Sequence, residues 1–493
     1  MAAKREKARE PAGASRALGW SFANTLISKF GTLAIGILLA RVLGPEAFGT
    51  YAVAFVALMA VLSFNELGVS LAIVRWEGDP REIAPTVTTI SVLGSTVFFV
   101  GGYLAAPAFA SAMGDPEATA VVQLMLVSVL VNGLVATPAA LLQREFKQGT
   151  RTVIDQVNVW LGAGVSVVLA LLGFGAMSLA IGRITGTLVS GAMFVVASPM
   201  PLRFGLSREF VGPLLRFGLP LAGSSIIVFV VGYVDQLIAG ALLGSVQLGF
   251  YVLAFNLASW PVSMFSGPLR AVAPAAFARL QHDRELMAQS FEGVGRVLAA
   301  AALPVCAVIA GAAGPIVAFV YGEEWQPAAD ALRWLAVLAA LRILFELSYD
   351  FLVVTRNSRS ILMIQAVWAV ALVPSLLLGA HLGGIGGLAF AQAVVGAALV
   401  LPLYLYRLRA MGVTIRAHLL RAAAILALAG VAFAVAALAS ALLDSDFLAC
   451  LAAGLAGLAA MAVGLWLQRG AVSVVKATWA TRTEPLVLNE EPL

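Results

Sequence analysis

Long apolar segments recur along the whole chain, and short polar segments carrying most of the charged residues separate them. Each apolar segment is roughly 20 to 30 residues long, which is enough for a helix to cross a bilayer. The segments lack the strict alternation of apolar and polar residues that marks a transmembrane β-barrel. Because backbone polar groups in lipid must be paired within the protein, the pattern predicts an all-α, polytopic membrane protein.

The pattern predicts fourteen transmembrane helices, separated by breakers such as Gly44-Pro45, Gly114-Asp115-Pro116 and Gly383-Gly384. No loop between them is long enough for a separate catalytic domain, which needs at least about 50 residues. The predicted spans lie at about 18–41, 48–74, 84–111, 118–142, 152–173, 176–199, 212–243, 248–275, 292–321, 327–354, 360–381, 385–406, 418–443 and 447–468.

An internal repeat relates two parts of the chain. The segment GPEAFGTYAVAF at 44–55 aligns with GSVQLGFYVLAF at 244–255, and further matches join Gly114-Asp115 to Gly322-Glu323 and Gly173-Phe174-Gly175 to Gly384-Ile385-Gly386. Repeats of six helices have the same orientation in the membrane, which is a transporter design. We therefore expect a substrate path between two halves that open alternately to the two sides.

The repeat also predicts the domain boundaries. They are a cytoplasmic N-terminal segment at 1–17, six-helix bundles at 18–205 and 206–410, two additional helices at 411–470 and a cytoplasmic tail at 471–493. The apolar stretch that follows Leu18 is too long for the core of a signal peptide, so it is expected to be an uncleaved first helix.

Composition and charge refine this picture. The chain is 61% hydrophobic and 12% charged, about half the charged fraction of a soluble domain. Alternate loops are rich in arginine, which predicts both termini in the cytoplasm. Arg41 breaks the alternation, and it could either gate the outer mouth or pair with Glu46. The excess of arginine over lysine, with abundant alanine and glycine, favours a bacterial source and thus the inner membrane.

Other chemistry is not indicated. No basic face suggests nucleic-acid binding, and no Walker loop or Cys/His/Asp metal spacing suggests a cofactor or metal. The two cysteines lie far apart in apolar segments. Five tryptophans near span ends are expected to form an interfacial belt: Trp20, Trp76, Trp260, Trp325 and Trp466.

Three motifs carry a family resemblance: LLARVLGPEAFGTY at 38–51, FGLPL at 217–221 followed by Asp235 and Gln236, and YGEEW at 321–325. Together with the two halves and two extra helices, they resemble bacterial polysaccharide flippases of the multidrug/oligosaccharidyl-lipid/polysaccharide exporter superfamily. The resemblance covers roughly residues 15–470.

The resemblance implies a flippase that moves undecaprenyl-diphosphate-linked oligosaccharides from the inner to the outer leaflet of the cytoplasmic membrane. The products would be capsule, exopolysaccharide, O-antigen or teichuronic-type polymers. The implied partners are the lipid-linked substrate and membrane lipids, with a polysaccharide polymerase and glycosyltransferases as expected protein partners.

Ionisable side chains inside spans cost at least about 2.5–3.5 kcal/mol each on insertion scales, so each needs a reason. A cation facing a cavity would meet the diphosphate, whereas the alternative is an ion pair that holds helices together. For Arg342 that pair would be Glu346, one helical turn away, and Arg270 could instead snorkel to the interface. The predicted substrate-binding residues are Lys29, Asn24, Asn65, Arg183, Gln236, Asn256, Arg270 and Arg342.

Three carboxylates inside spans, Glu66, Asp235 and Glu346, are predicted to couple transport to an ion gradient by binding a proton or sodium. The alternative is interhelical hydrogen bonding, worth around 0.6 kcal/mol per contact. Two other transporter functions stay open, a cation-coupled multidrug exporter and a lipid II flippase. Fourteen spans with intramembrane Lys and Arg disfavour the drug exporter, and the absence of a long loop disfavours an enzyme, so no catalytic residue is assigned.

Overall fold

The computed structural model describes residues 12–65, 69–280, 283–355, 357–413 and 415–471. Within these ranges, side chains are not described at 12–30, 64–65 and 415–422, nor at a few positions of the seventh, eighth and ninth helices.

Fifteen α-helices account for most of the described chain, which contains no β-strand. A short 3₁₀ helix at Glu323–Trp325 precedes α11, and a π-helical turn at Gly396–Val400 joins α12 to α13. The helices are α1 Ala12–Asn65, α2 Val69–Arg75, α3 Pro80–Ala112, α4 Ala118–Arg144, α5 Gln148–Leu171, α6 Ala176–Ala197, α7 Arg208–Leu243, α8 Ser245–Arg279, α9 Arg284–Gly311, α10 Ala313–Tyr321, α11 Ala328–Val354, α12 Ser358–Val395, α13 Leu401–Ala410, α14 Ile415–Leu442 and α15 Asp446–Leu467.

The helical class of the fold is confirmed, but the number of spans is not. Within the described residues, ten helices are long and apolar enough to cross a membrane. One reason is that α1 has 54 residues, about 80 Å of helix, which is enough for two crossings of a bilayer core about 30 Å thick. Another is that α11 carries five charged residues, which lowers its hydropathy: Asp330, Arg333, Arg342, Glu346 and Asp350.

The backbone breaks in the same way at Gly44 and Gly244, which are equivalent positions of the repeat. Gly44 interrupts α1 with φ 71° and ψ 175°, and Gly244 separates α7 from α8 with φ 89° and ψ 171°. This positive-φ conformation suits glycine, and Pro45 then lacks the N–H that would continue the helix. The repeated sequence segments therefore fold into the same helix–break–helix shape.

A second pair of breaks corrects one detail of the sequence alignment. Gly175 has φ 54° and ψ −137°, and Gly384, inside α12, has φ 56° and ψ −139°. The structural counterpart of Gly384 is therefore Gly175, whereas the sequence alignment matched it to Gly173.

The largest apolar core joins helices from both predicted bundles. It includes Val53 and Leu58 of α1, Tyr251 of α8, Leu332 of α11 and Leu388 of α12, all buried. The last two long helices, α14 and α15, pack on α9 through a separate cluster rich in alanine. Small residues allow such close approach of helices in a membrane, where apolar burial alone does not drive their association.

Candidate functional site

A buried polar cluster surrounds Asp235 of α7, whose side chain is 1% exposed. Its Oδ2 accepts hydrogen bonds from the Tyr251 hydroxyl of α8 at 2.8 Å and from Gln392 Nε2 of α12 at 3.0 Å. Its Oδ1 accepts one from the backbone N–H of Gln236 at 2.9 Å. Three helices therefore meet at one carboxylate, which lies beside the large apolar core.

The same cluster contains acceptor oxygens without donors. The side-chain oxygens of Gln236 and Gln392 accept no hydrogen bond from the described residues, although the two residues are 2% and 4% exposed. A buried acceptor without a partner loses its hydration at a cost of about 1–3 kcal/mol. Together with the Asp235 carboxylate, these oxygens are the kind of ligand that hard cations such as sodium prefer. The carboxylate itself can also bind a proton.

Two arginines approach this region, one from each predicted bundle. The guanidinium carbon of Arg183, on α6, lies 5.5 Å from the ring centroid of Phe55, and that of Arg342, on α11, lies 5.6 Å from the centroid of Phe255. Both distances are within the cation–π range of about 6 Å. Tyr233, two residues before Asp235 on α7, is within electrostatic range of both guanidiniums and of Asp235.

Neither guanidinium donates a hydrogen bond or forms an ion pair among the described residues, and the Nε of Arg183 is buried without a partner. The alternative considered for Arg342, an ion pair with Glu346, is not formed, although the two residues are one turn apart. Arg342 instead lies on Phe255, within electrostatic range of Asp235. An arginine has five N–H donors, so both side chains retain donors for a ligand.

The other predicted residues are placed differently. Arg270 forms an ion pair with Asp350, with Nε 3.5 Å from Oδ2, which joins α8 to α11. Asn256 is exposed on α8, Gln236 is buried, and Glu346 is half-buried within electrostatic range of Asp350. Glu66 and the side chains of Lys29, Asn24 and Asn65 lie outside the described residues, so their roles stay predictions.

The helices α1 and α8 touch at the end of the bundle that the loop charges predict to be outer. A Cβ on Gly49 would lie 2.5 Å from the backbone oxygen of Ser245, and one on Gly249 would lie 3.0 Å from the Gly49 Cα. Gly49 and Gly249 are equivalent positions of the repeat. The two predicted bundles therefore meet backbone to backbone at this end.

Trp325 and Arg41 add to that contact. Trp325 packs edge-on against Phe48 of α1 at 5.4 Å and Phe250 of α8 at 5.8 Å, and it is 1% exposed. Its expected place in an interfacial belt is wrong, because two aromatic rings from the repeated segments enclose it. Arg41 donates to the backbone carbonyls of Phe319 and Val320 at the end of α10, and it does not pair with Glu46.

Sequence reasoning missed five residues of the site: Phe55, Phe255, Tyr233, Tyr251 and Gln392. Three of them, Phe55, Phe255 and Tyr251, lie in the repeated segments, where the same residue type stands at the position 200 residues away. That match of aromatic residues was the available signal. Gln392 could have been found as a polar residue inside the apolar segment 385–406.

Comparison with known proteins identifies the family of this chain. Residues 38–330, more than half of the chain, match the family model described as "Polysaccharide biosynthesis protein". The succinoglycan biosynthesis transport protein ExoT of Rhizobium meliloti (strain 1021) is 27% identical over 329 residues, which is 66% of this chain and 65% of that protein. The alignment thus spans just under two thirds of this relative's length.

Solved structures show the same fold. The lipid II flippase MurJ in an inward closed conformation superposes with a TM-score of 0.72 at 14% identity, covering 89% of this chain and 97% of that one. A multidrug resistance MATE family transporter of the MOP superfamily, in an inward-facing conformation, gives 0.61 at 19% identity, covering 78% and 94%. The family match confirms the resemblance that the three motifs indicated, and this chain belongs to the family of polysaccharide biosynthesis proteins.

Proposed function

We propose that this multi-pass membrane protein is a flippase for undecaprenyl-diphosphate-linked oligosaccharide, which it moves from the inner to the outer leaflet for capsule, exopolysaccharide or O-antigen-type synthesis. The observation that carries the proposal is a pair of intramembrane guanidiniums, Arg183 and Arg342, that have no anionic partner among the described residues. Membership of a polysaccharide biosynthesis family supports the same substrate class.

The chemistry of the substrate explains such a pair. A diphosphate and a glycan cannot enter hydrocarbon without replacement of their hydration, because each bare polar group costs several kcal/mol. The polyprenyl tail, in contrast, can remain in lipid. Arginines with free N–H groups bind phosphate oxygens through paired hydrogen bonds, so they suit the diphosphate. A positively charged drug would instead be repelled, which disfavours the multidrug exporter.

Transport is proposed to occur by alternating access of the two six-helix bundles, 18–205 and 206–410. The contact of Gly49 with Gly249 and the enclosed Trp325 support a conformation that is closed at the predicted outer end. Separation of these residues would then accompany release of the substrate to the outer leaflet. The protein would act in the bacterial inner membrane, with both termini cytoplasmic, beside a polymerase and glycosyltransferases.

Asp235 is the proposed site of ion coupling, with Glu66 and Glu346 as further candidates. Support comes from its burial among oxygen ligands and from its electrostatic interaction with Arg342. Binding of a proton or sodium at Asp235 would change the field at the arginine that meets the diphosphate. The dependence of transport on a sodium or proton gradient measures this role.

The test of the function is transport by purified protein in liposomes that contain undecaprenyl-diphosphate-linked oligosaccharide. We expect Arg342→Ala and Arg183→Ala to reduce the transport rate by at least about tenfold each, because each removes charge-assisted hydrogen bonds worth about 1.5–3 kcal/mol.

Arg333→Ala is the matched control, since it removes an exposed guanidinium from the same helix as Arg342. Transport should be unchanged in this variant. Normal transport by the Arg342→Ala and Arg183→Ala proteins, at normal protein levels, would contradict the proposal. Transport of lipid II in preference to the oligosaccharide would assign the protein to cell-wall synthesis instead.

A further inference from the structure

Phe55 and Phe255 stand at equivalent positions of the two repeated segments, and each has one arginine over its ring. We propose that these two phenylalanines are positioning residues, which hold the guanidiniums of Arg183 and Arg342 flat so that their N–H edges face the diphosphate. The proposal rests on the proposed function of the two arginines, and it assigns the orientation of each to a specific aromatic ring.

The two phenylalanines are equivalent in the repeat, but the two arginines are not. Arg183 lies on α6, the fifth helix after α1, which carries the first repeated segment, whereas Arg342 lies on α11, the third helix after α8, which carries the second. The two helices are not counterparts in the repeat, yet both guanidiniums lie over the repeat-equivalent ring at nearly the same distance, 5.5 and 5.6 Å. This coincidence favours a role for the ring itself.

Both rings pack at the edge of the largest apolar core. Their neighbours in sequence, Ala54 and Ala254, are completely buried, whereas Phe55 and Phe255 are each partly exposed. The partly exposed position leaves one ring face for the cation.

A guanidinium held over a ring face suits a diphosphate. A guanidinium is planar, so contact of its flat side with a ring leaves the N–H groups at its edge, where they can bind phosphate oxygens in pairs. Lysine has no flat face and acts as a single point charge. Tyr233 lies within electrostatic range of both guanidiniums, which supports the action of the two arginines on one ligand with two phosphates.

Binding of undecaprenyl diphosphate to the full-length protein in nanodiscs tests the proposal. Phe255→Leu retains apolar bulk but removes the ring, and Phe255→Tyr retains the ring. We expect the leucine variant to bind the probe about tenfold more weakly and the tyrosine variant to bind it as the wild type does. The same pair of variants at Phe55 gives an independent measurement.

A double-mutant cycle separates positioning from packing. Arg342→Lys should weaken binding about tenfold when Phe255 is present. It should have little further effect in the Phe255→Leu protein, because the contact of residue 342 with the ring is already lost. Phe390→Leu is the control, since that ring is 47% exposed and packs on Trp334. It should leave affinity unchanged. If Phe255→Leu does not fold, Phe255→Met takes its place.

The outcomes distinguish the two proposals. Equal affinities of the leucine and tyrosine variants would overturn the role of the rings, and so would additive effects in the cycle. The proposed function would still stand if Arg342→Ala and Arg183→Ala weaken binding. If the wild-type protein fails to bind undecaprenyl diphosphate, or if the two arginine variants bind it unchanged, the proposed function itself is wrong.

Discussion

At the scale of single residues, the charged groups of the interior differ in the ion-pair and hydrogen-bond partners that offset the cost of their burial. Arg270 has a carboxylate at 3.5 Å, and Asp235 has three hydrogen-bond donors. Among the described residues, Arg183 and Arg342 each lie over an aromatic ring and form no hydrogen bond or ion pair. Since an intramembrane charge is costly, the groups with the poorest compensation are those whose retention is best explained by a ligand.

Substitution of Asp235 by asparagine removes the charge but keeps the size of the side chain. We expect transport by the Asp235→Asn protein to lose its dependence on a sodium or proton gradient, because an amide cannot exchange a proton or neutralise a cation. Binding of undecaprenyl diphosphate should persist, which shows that the protein is folded. Transport that still responds fully to both gradients would exclude Asp235 as the coupling residue.

At the scale of helices, arginines of the predicted cytoplasmic loops do more than set orientation. Arg144, at the end of α4, donates to the backbone carbonyls of Ile73 and Trp76 at 2.6 Å and of Gly78 at 3.1 Å. The last carbonyls of a helix lack partners within it, so this side chain completes the end of α2 and holds the turn into α3. Arg144, which the charge pattern predicted to orient the protein in the membrane, therefore also stabilises the turn between α2 and α3.

The Arg144→Ala variant should be less stable by about 1–3 kcal/mol, because three backbone acceptors lose a charged donor. The thermal unfolding midpoint in detergent, followed by fluorescence, measures the effect. Lys147→Ala is the control, since the Lys147 side chain is 48% exposed and forms its ion pair with Glu145, two residues earlier in the chain. Exposed pairs contribute little, so its midpoint should not change. Equal midpoints for both variants would show that the Arg144 contacts do not stabilise the protein.

At the scale of the whole molecule, one contact between the predicted bundles combines two glycines, an enclosed tryptophan and the Arg41 hydrogen bonds. All of them lie at the same end of the bundle, where α1 meets α8. Because packed interfaces switch between discrete arrangements and do not deform continuously, a small change at this contact should shift the balance between conformations.

Gly49→Ala should move that balance toward a state in which the outer ends are apart, because the new Cβ would lie 2.5 Å from a backbone oxygen that cannot rotate away. Spin labels at the exposed positions 117 and 444, with Cys306 and Cys450 replaced, would report a longer distance by pulsed electron paramagnetic resonance. Gly36→Ala is the control on the same helix, since nothing lies within 4 Å of its added Cβ. An unchanged distance in the Gly49→Ala protein would exclude this contact as the closure.

The sequence alone determined the helical class, the membrane location, the positions of the breaks and the repeat. These features are local, because apolar length and a glycine before a proline act on the chain where they stand. The glycines of the repeat take matching positive-φ conformations at Gly44 and Gly244, although only Gly44 precedes a proline. The motifs of the first helix and of the YGEEW segment were also sufficient to indicate the family.

Only the tertiary structure decided which side chains meet. Spacing along α11 placed Arg342 beside Glu346, but the rotation of that helix directs Arg342 to Phe255 and places Asp350 near Arg270. Trp325 is enclosed for the same reason, since two helices far apart in sequence converge on it. In an interior that is apolar on nearly every face, hydrophobic periodicity does not specify the rotation of a helix, so packing between distant segments selects the partners.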